Sequence, residues 1–369
     1  MERISKFQLS AMIILFQIGS STLFELGIGA KQDAWLTVLT GMAVSFLLLM
    51  LFLGIQRREP NKSLVQILVQ YLGFFGKIAA FSYVLFFAYE SMRNVRDFGD
   101  LIIMSFLSRT PISLIMLIMV LLSSYAIFKG IEVFFRLSEF MLPGVLLFYS
   151  LLIIMFISSG IVHLDHLLPI LENGIMSVLK VAIKETSFFP FGQMVIFLMY
   201  WHYLADKGIM AKTSIKAYFV TGLLLITTNI MNIAILGTQY TSISTVPLLQ
   251  SVQLIQIADF LERFDALVIL LLYAGIFVKA TLWFQAAVLG FGELFNLNYK
   301  KVILPIGAAI YVSSFLEPNW IYHIWFGKVV AYNYMVNPVF ILFIPLLLFI
   351  VMLVKGTAEG GKSIGERSR

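Results

Sequence analysis

The sequence contains no cysteine, so neither disulfides nor thiolate chemistry takes part in its fold or function. Histidine is rare: the four, His163, His166, His202 and His323, are scattered towards loops and span ends without metal-ligand spacing. No metal and no cofactor are expected. Charge is scarce too, with Asp, Glu, Lys and Arg making up 12% of the chain, where a soluble domain carries about a quarter. Phosphate-cradling loops, Walker sequences and nucleophile motifs with a base at usable spacing are also missing, which argues against an enzyme. The formal net charge of +6 invites a nucleic-acid reading. The basic residues sit in short loops, however, where membrane topology places them, so nucleic acid is not an expected partner.

What is present is apolar. Hydrophobic residues make up 60% of the 369, and the mean hydropathy is +0.93. The apolar runs are continuous and roughly twenty residues long, the length of a helix that crosses a bilayer; a barrel would need short alternating strands. Ten spans can be marked, at about 9–29, 34–54, 76–105, 112–128, 134–159, 178–201, 213–236, 264–290, 301–316 and 335–354. The short basic start "MERISKFQ" is followed by no small-residue cleavage site, so the first run reads as a retained span rather than a signal peptide. With the N-terminus in the cytoplasm, Arg57, Arg58, Lys62, Lys207, Lys212, Lys216, Lys300 and Lys301 all fall on the inner side. That asymmetry places both termini inside. The expected fold is an all-α integral membrane protein, one polytopic domain over 1–354 with a Gly- and charge-rich tail at 355–369 expected to be disordered. In the outer connection 237–263, "LLQSVQLIQIADFLERF" has apolar residues at helical spacing and reads as a helix lying on the outer face.

Two spans are interrupted. The first carries Gly19, Ser20, Ser21 and Thr22 in a row, then Glu25 and Gly27. The sixth, "IKETSFFPFGQMVIFLMYWHYL", contains Pro190 and Gly192. Proline removes a backbone donor and clashes with the preceding turn, and glycine is a poor helix former. If the ten spans form two halves of five, about 9–159 and 178–354, the breaks fall in corresponding members, the pattern that marks the site of a secondary transporter. An unwound turn frees backbone N–H and C=O groups, which hydrocarbon does not tolerate unless they are buried in protein or line a polar cavity. The plainer reading is that the small residues permit close helix packing.

At this point the sequence resembles the B subunit of bacterial spore germinant receptors, a permease-like branch of the amino acid–polyamine–organocation transporter superfamily. The residues that carry the resemblance are Asp33-Ala34-Trp35 before the second span and Arg96-Asp97-Phe98-Gly99 in the third. Thr110-Pro111 opens the fourth span, and Gly130-Ile131-Glu132 with Arg136 leads into the fifth. The resemblance implies ten helices in two inverted five-helix repeats, with helices one and six discontinuous. It also implies the inner membrane of a spore and partner A and C subunits. In the superfamily the eighth helix packs against the break in the first, where sodium-coupled members hold a cation.

Several side chains are candidates for a mid-membrane site. Around the breaks these are Gly19, Ser20, Ser21, Thr22, Phe189, Phe191 and Gly192, with Tyr89 from the third span and Thr281 from the eighth. Glu90, Arg93 and Asp97 share one face of the third span, and Arg96 can pair with Asp100 four residues on. This network either locks the helix to its neighbours, or takes part in gating or in contact with the ligand's charged groups. Lys279 lies mid-span in helix eight without an acidic neighbour within a turn. It snorkels to an interface, or it stands in for a coupling ion with the carbonyls of Gly19–Ser21 or the carboxylate of Glu25 as partner. Three functions are expected in turn: a nutrient sensor that binds a small germinant, an amino acid, and triggers germination; a proton-coupled amino acid transporter; or an ion-conducting or structural subunit without ligand.

Overall fold

The first helix, α1 (Lys6–Ile18), is started by its own sequence: Ser5 Oγ accepts from the Gln8 amide at 3.1 Å and Gln8 Oε1 accepts from the Ser5 amide at 2.9 Å. It stops at Gly19, whose φ of −22° and ψ of −103° no helix continues. One tightened turn follows at Ser20–Leu23, then extended backbone at Phe24 and a left-handed Gly27 (φ +72°). Gly27 turns the chain into a second tight turn, Ile28–Asp33, which opens α2 (Ala34–Arg58). The hydroxyls at the break are spent on the carbonyls that it frees. Ser21 Oγ donates to the Gln17 carbonyl at 2.7 Å, and Thr22 Oγ1 lies 3.3 Å from the carbonyls of both Ile18 and Gly19.

The computed structural model describes residues 2–255 and 264–356. The expected disorder at 355–369 falls almost wholly on residues outside this range, as does the second half of the expected outer helix. Its first half is seen as a short helix at Pro247–Gln253. The remaining helices of the first half are α3 (Leu64–Ser105), α4 (Ile112–Lys129) and α5 (Ile131–Ser158). At 42 residues α3 is far longer than the expected span, because it bends at Gly73 (φ +58°) and begins one segment earlier. The second half opens with α6 (Gly174–Val181), followed by a widened turn at Ala182–Thr186 and irregular chain through Pro190. A tight 3-10 run, Phe191–Met199, completes the sixth span. Then come α7 (Met210–Ile243), α8 (Pro247–Gln253), α9 (Phe264–Phe295), α10 (Tyr299–Ser313), α11 (Trp320–Lys328) and α12 (Val336–Lys355).

Among the described residues nine helical segments are long and apolar enough to cross a membrane, the sixth span with its irregular middle among them. The first span adds the tenth, in two pieces. Helix α9 runs through the centre, packed along α3: Ser91 Oγ donates to the Ala280 carbonyl at 3.0 Å. Tyr200 of the sixth span donates to the Leu282 carbonyl at 2.8 Å. On the N-terminal side of the breaks an aromatic layer closes the core. Phe16 of α1 meets Phe197 of the sixth span at 5.6 Å and Trp283 of α9 at 5.4 Å, edge to face. At that same end, backbone bonds Ile4 N–Tyr203 O and Ala205 N–Ile4 O, each 3.0 Å, tie the chain before the first span to the chain after the sixth. The N-terminal end of the first span and the C-terminal end of the sixth are thus stitched together.

Candidate functional site: a cavity between the two interrupted spans

Above the aromatic layer lies a cavity of about 290 Å³. Ser20, Phe24, Glu25 and Leu26 line it from the first break, and Glu185, Thr186, Phe189 and Gln193 from the sixth span. Helix α3 contributes Tyr89, Glu90, Arg93, Asn94 and Asp97, and α11 lays Trp320, Ile324, Gly327 and Lys328 across the end away from the N-terminus. Interrupted spans explain why such a hollow exists. Helical backbone would fill the space with its own turns, whereas irregular chain leaves polar groups facing a common gap.

The close approach of α9 depends on two glycines. A Cβ built on Gly19 would lie 2.9 Å from the Gly275 carbonyl oxygen and 2.9 Å from the side chain of Lys279. The reverse contact, a Cβ on Gly275, would sit 3.0 Å from the Gly19 Cα. Lys279 is therefore pressed against the break in the first span. It is fully buried, its Nζ has no hydrogen-bond partner, and the ammonium lies 4.4 Å from the centre of the Phe189 ring and 5.5 Å from that of Phe16. Snorkelling is corrected by this placement, since the head group is enclosed by rings rather than delivered to an interface. Neither expected partner is engaged. The Glu25 carboxylate accepts instead from Asn232 Nδ2 of α7 at 2.8 Å.

The charged face of α3 resolves into separate pairs. Arg96 Nε and Asp100 Oδ2 are 2.7 Å apart, the pairing that their spacing predicts. Glu90, Arg93 and Asp97 do not pair with one another. Arg93 Nη1 lies 2.8 Å from Glu317 Oε1 and 2.6 Å from the His323 carbonyl oxygen. The His323 ring is held between Asp97 Oδ1 at 2.7 Å and Glu317 Oε2 at 2.5 Å. Burial pushes the imidazole pKa down, but the Asp97 charge and the bonds with Asp97 and Glu317 prevail and hold it above its ordinary 6.5. Burial likewise opposes ionisation of Glu317, and there the His323 bond and the Arg93 charge prevail, holding it below 4.5.

Glu317 and His323 were not legible as site residues, because their partners on α3, Arg93 and Asp97, lie more than 200 residues away. Gln193, which donates to Glu90 Oε2 at 3.0 Å, was likewise not legible. Several sequence candidates lie outside the cavity wall. Phe191 packs against Tyr218 with ring centres 5.4 Å apart, Gly192 backs onto Ile341, and Thr281 bonds Ser123 of α4 at 2.8 Å. Gly19, Ser21 and Thr22 shape the break without lining the cavity, while Ser20, Tyr89 and Phe189 line it. Among the described residues no group of three or more His, Asp and Glu is arranged to hold a metal ion.

Comparison with known proteins fits this geometry to a family. The model described as "Spore germination protein" matches residues 3–320. The chain belongs to the spore germination protein family. It is 35% identical over 370 residues to spore germination protein KB of Bacillus subtilis (strain 168), covering 100% of this chain and 99% of the relative. It is 24% identical over 336 residues to the putative spore germination protein YfkT of the same organism, covering 88% of each. Two solved structures share the fold. Mhp1, a nucleobase-cation-symport-1 family transporter with bromovinylhydantoin bound, aligns with a TM-score of 0.64 at 10% identity, covering 92% of this chain and 78% of that one. MhsT in complex with L-phenylalanine aligns with a TM-score of 0.59 at 17% identity, covering 85% and 79%. The family member is thus a multi-pass membrane protein, not an enzyme, with a transporter fold of two inverted five-helix repeats.

Proposed function

We propose that this chain is the membrane subunit of a nutrient germinant receptor, binds a small germinant, an amino acid, in the cavity between the breaks, and triggers spore germination. The observation that carries the reading is the cavity itself, with buried charges of both signs and aromatic rings around a gap left by two unwound segments. Its setting is that of a zwitterion site. A protein of the same fold, MhsT, was solved with L-phenylalanine, and the full-length relative is a spore germination protein. In this reading the chain sits in the spore inner membrane, both termini face the cytoplasm, and it works beside A and C subunits. The stitched inner ends and the layer below the cavity belong to one state of an equilibrium. Ligand shifts that equilibrium only through unequal affinity for its two states. The output is ion release or activation of the partner subunits.

Thermal unfolding of the purified chain across amino acids and sugars tests the binding step. A ligand-dependent rise in Tm is expected, and no rise with any nutrient would favour a structural or ion-conducting subunit. The transporter fold favours a second reading, proton-coupled amino acid transport. Concentrative uptake of radiolabelled amino acid into proteoliposomes holding this chain alone would decide for it.

A further inference from the structure

One wall of the cavity carries more hydrogen-bond acceptors than the protein can satisfy. Glu90, Asn94 and Gln193 are 8%, 3% and 2% exposed. Gln193 Nε2 donates to Glu90 Oε2 at 3.0 Å, and Asn94 Nδ2 donates to the Glu90 carbonyl oxygen at 2.8 Å. Each amide spends an N–H on Glu90 and leaves its oxygen behind: Asn94 Oδ1 and Gln193 Oε1 are buried with no partner. Glu25 repeats the pattern across the cavity, with Oε2 bonded to Asn232 and Oε1 unpartnered. Buried acceptors without donors are costly to leave unmade.

The nearby cations do not supply the missing donors. Arg93 is engaged by Glu317 and His323. Lys279 is kept out of the cavity lining, its ammonium lying over the ring of Phe189. What fits is a small group with several N–H donors and a positive charge to set against the Glu90 carboxylate. An ammonium has three such donors and no acceptor, and bonds in which both partners are charged are the stronger kind.

We infer that Glu90, Asn94 and Gln193 form the subsite for the ammonium group of the ligand, so that the germinant is an amine. The inference rests on the reading that the cavity binds a nutrient, and it names the part of the ligand that these residues hold. Amino acids and simple amines qualify, whereas sugars and carboxylic acids without an amine do not. The aromatic rings of Phe24, Tyr89, Phe189 and Trp320 around the same space would take the apolar remainder of such a molecule.

The test is thermal unfolding of the full-length chain in detergent micelles with four sets of compounds: the standard amino acids, their decarboxylated amines, their deaminated acids, and neutral sugars. Amino acids are expected to raise Tm, and deamination of an active one is expected to abolish the rise. A deaminated acid or a sugar as effective as the amino acid would overturn the ammonium subsite while leaving nutrient binding in place. A panel in which nothing raises Tm would overturn nutrient binding, and the subsite with it. Glu90→Gln keeps the side-chain volume and is expected to raise the half-saturating concentration about ten- to a hundredfold. Gln193→Met, which removes the orphan oxygen at similar volume, gives a smaller loss. Unliganded Tm reports whether each variant folds, and wild-type affinity in two folded variants overturns the assignment.

Discussion

His323 Nε2 lies 2.7 Å from Asp97 Oδ1, joining the connection between the ninth and tenth spans to the C-terminal third of α3. The same imidazole reaches Glu317 on its other side, and Arg93 grips both Glu317 and the His323 backbone. Helix α11 is therefore fastened over the cavity by an ionic clasp. Trp320 adds to the fastening by stacking on Phe24 of the first break with ring centres 5.9 Å apart.

The clasp predicts a pH dependence. The groups facing the imidazole are Asp97, Asp100 and Arg93 from α3 and Glu317 beside it. Its folded pKa is raised, so its contribution to stability is complete below the ordinary 6.5 and is lost as pH rises through the folded value. Glu317 has the opposite sign. Its pKa is lowered, so its contribution is complete above 4.5 and is lost as pH falls through the folded value. Melting temperature is expected to fall as pH climbs from 6 towards 9, and His323→Gln is expected to flatten that slope. Parallel slopes in the two proteins would detach the histidine from the clasp.

The clasp also shows where sequence reasoning stops. The two breaks were legible because glycine, proline and a run of hydroxyls are locally unfit for helix, and Arg96 with Asp100 was legible because a helix fixes four-residue spacing. Arg93 pairing with Glu317, 224 residues on, has no local signature; only the inverted-repeat packing brings them together. Phe189 and Phe191 look equivalent in the sequence. Which one faces the cavity depends on the irregular turn around Pro190, where no helical period applies.

Gly19 and Gly275 make a steric prediction. Gly19→Ala would place a methyl 2.9 Å from a backbone oxygen and from Lys279, and overpacking of this kind costs about 1–3 kcal/mol. Gly275→Ala is expected to behave alike, because its obstacle is the Gly19 backbone. Gly29→Ala is the control. Its nearest neighbour is a valine methyl at 3.4 Å, and a change within about 0.5 kcal/mol is expected, as for an ordinary surface site. Melting in micelles checks all three, and a tolerated Gly19→Ala would remove the close approach from the account.

Lys279→Met tests the buried ammonium. Replacing an unpaired charge with an apolar chain of similar length removes a desolvated group that makes no hydrogen bond. Tm is expected to hold or rise, while ligand sensitivity is lost or the protein is frozen in one state. Because the Lys279 side chain already packs against the first break, the ligand response of the wild type is expected to be the same in sodium and potassium salts. A lowered Tm with an unchanged dose response would make the lysine a packing element only.

Phe189 and Phe191 allow binding to be separated from folding. Phe191 is 1% exposed and packed on Tyr218 within the core, so Phe191→Ala is expected to cost about 3–5 kcal/mol and to leave the half-saturating ligand concentration of the folded protein unchanged. Thr281→Ala belongs with it, losing one buried bond to Ser123 worth about 1 kcal/mol. Phe189 lines the cavity, meets Phe24 at 6.2 Å and covers Lys279 at 4.4 Å. Phe189→Ala is expected to lower Tm less than Phe191→Ala does, yet to change the ligand response more, since it opens the wall and brings a buried cation into the site. Ligand titrations of the two variants, read beside their unliganded melts, give opposite rankings if the cavity is the binding site. The same ranking in both measurements would mean that ligand acts elsewhere on the chain.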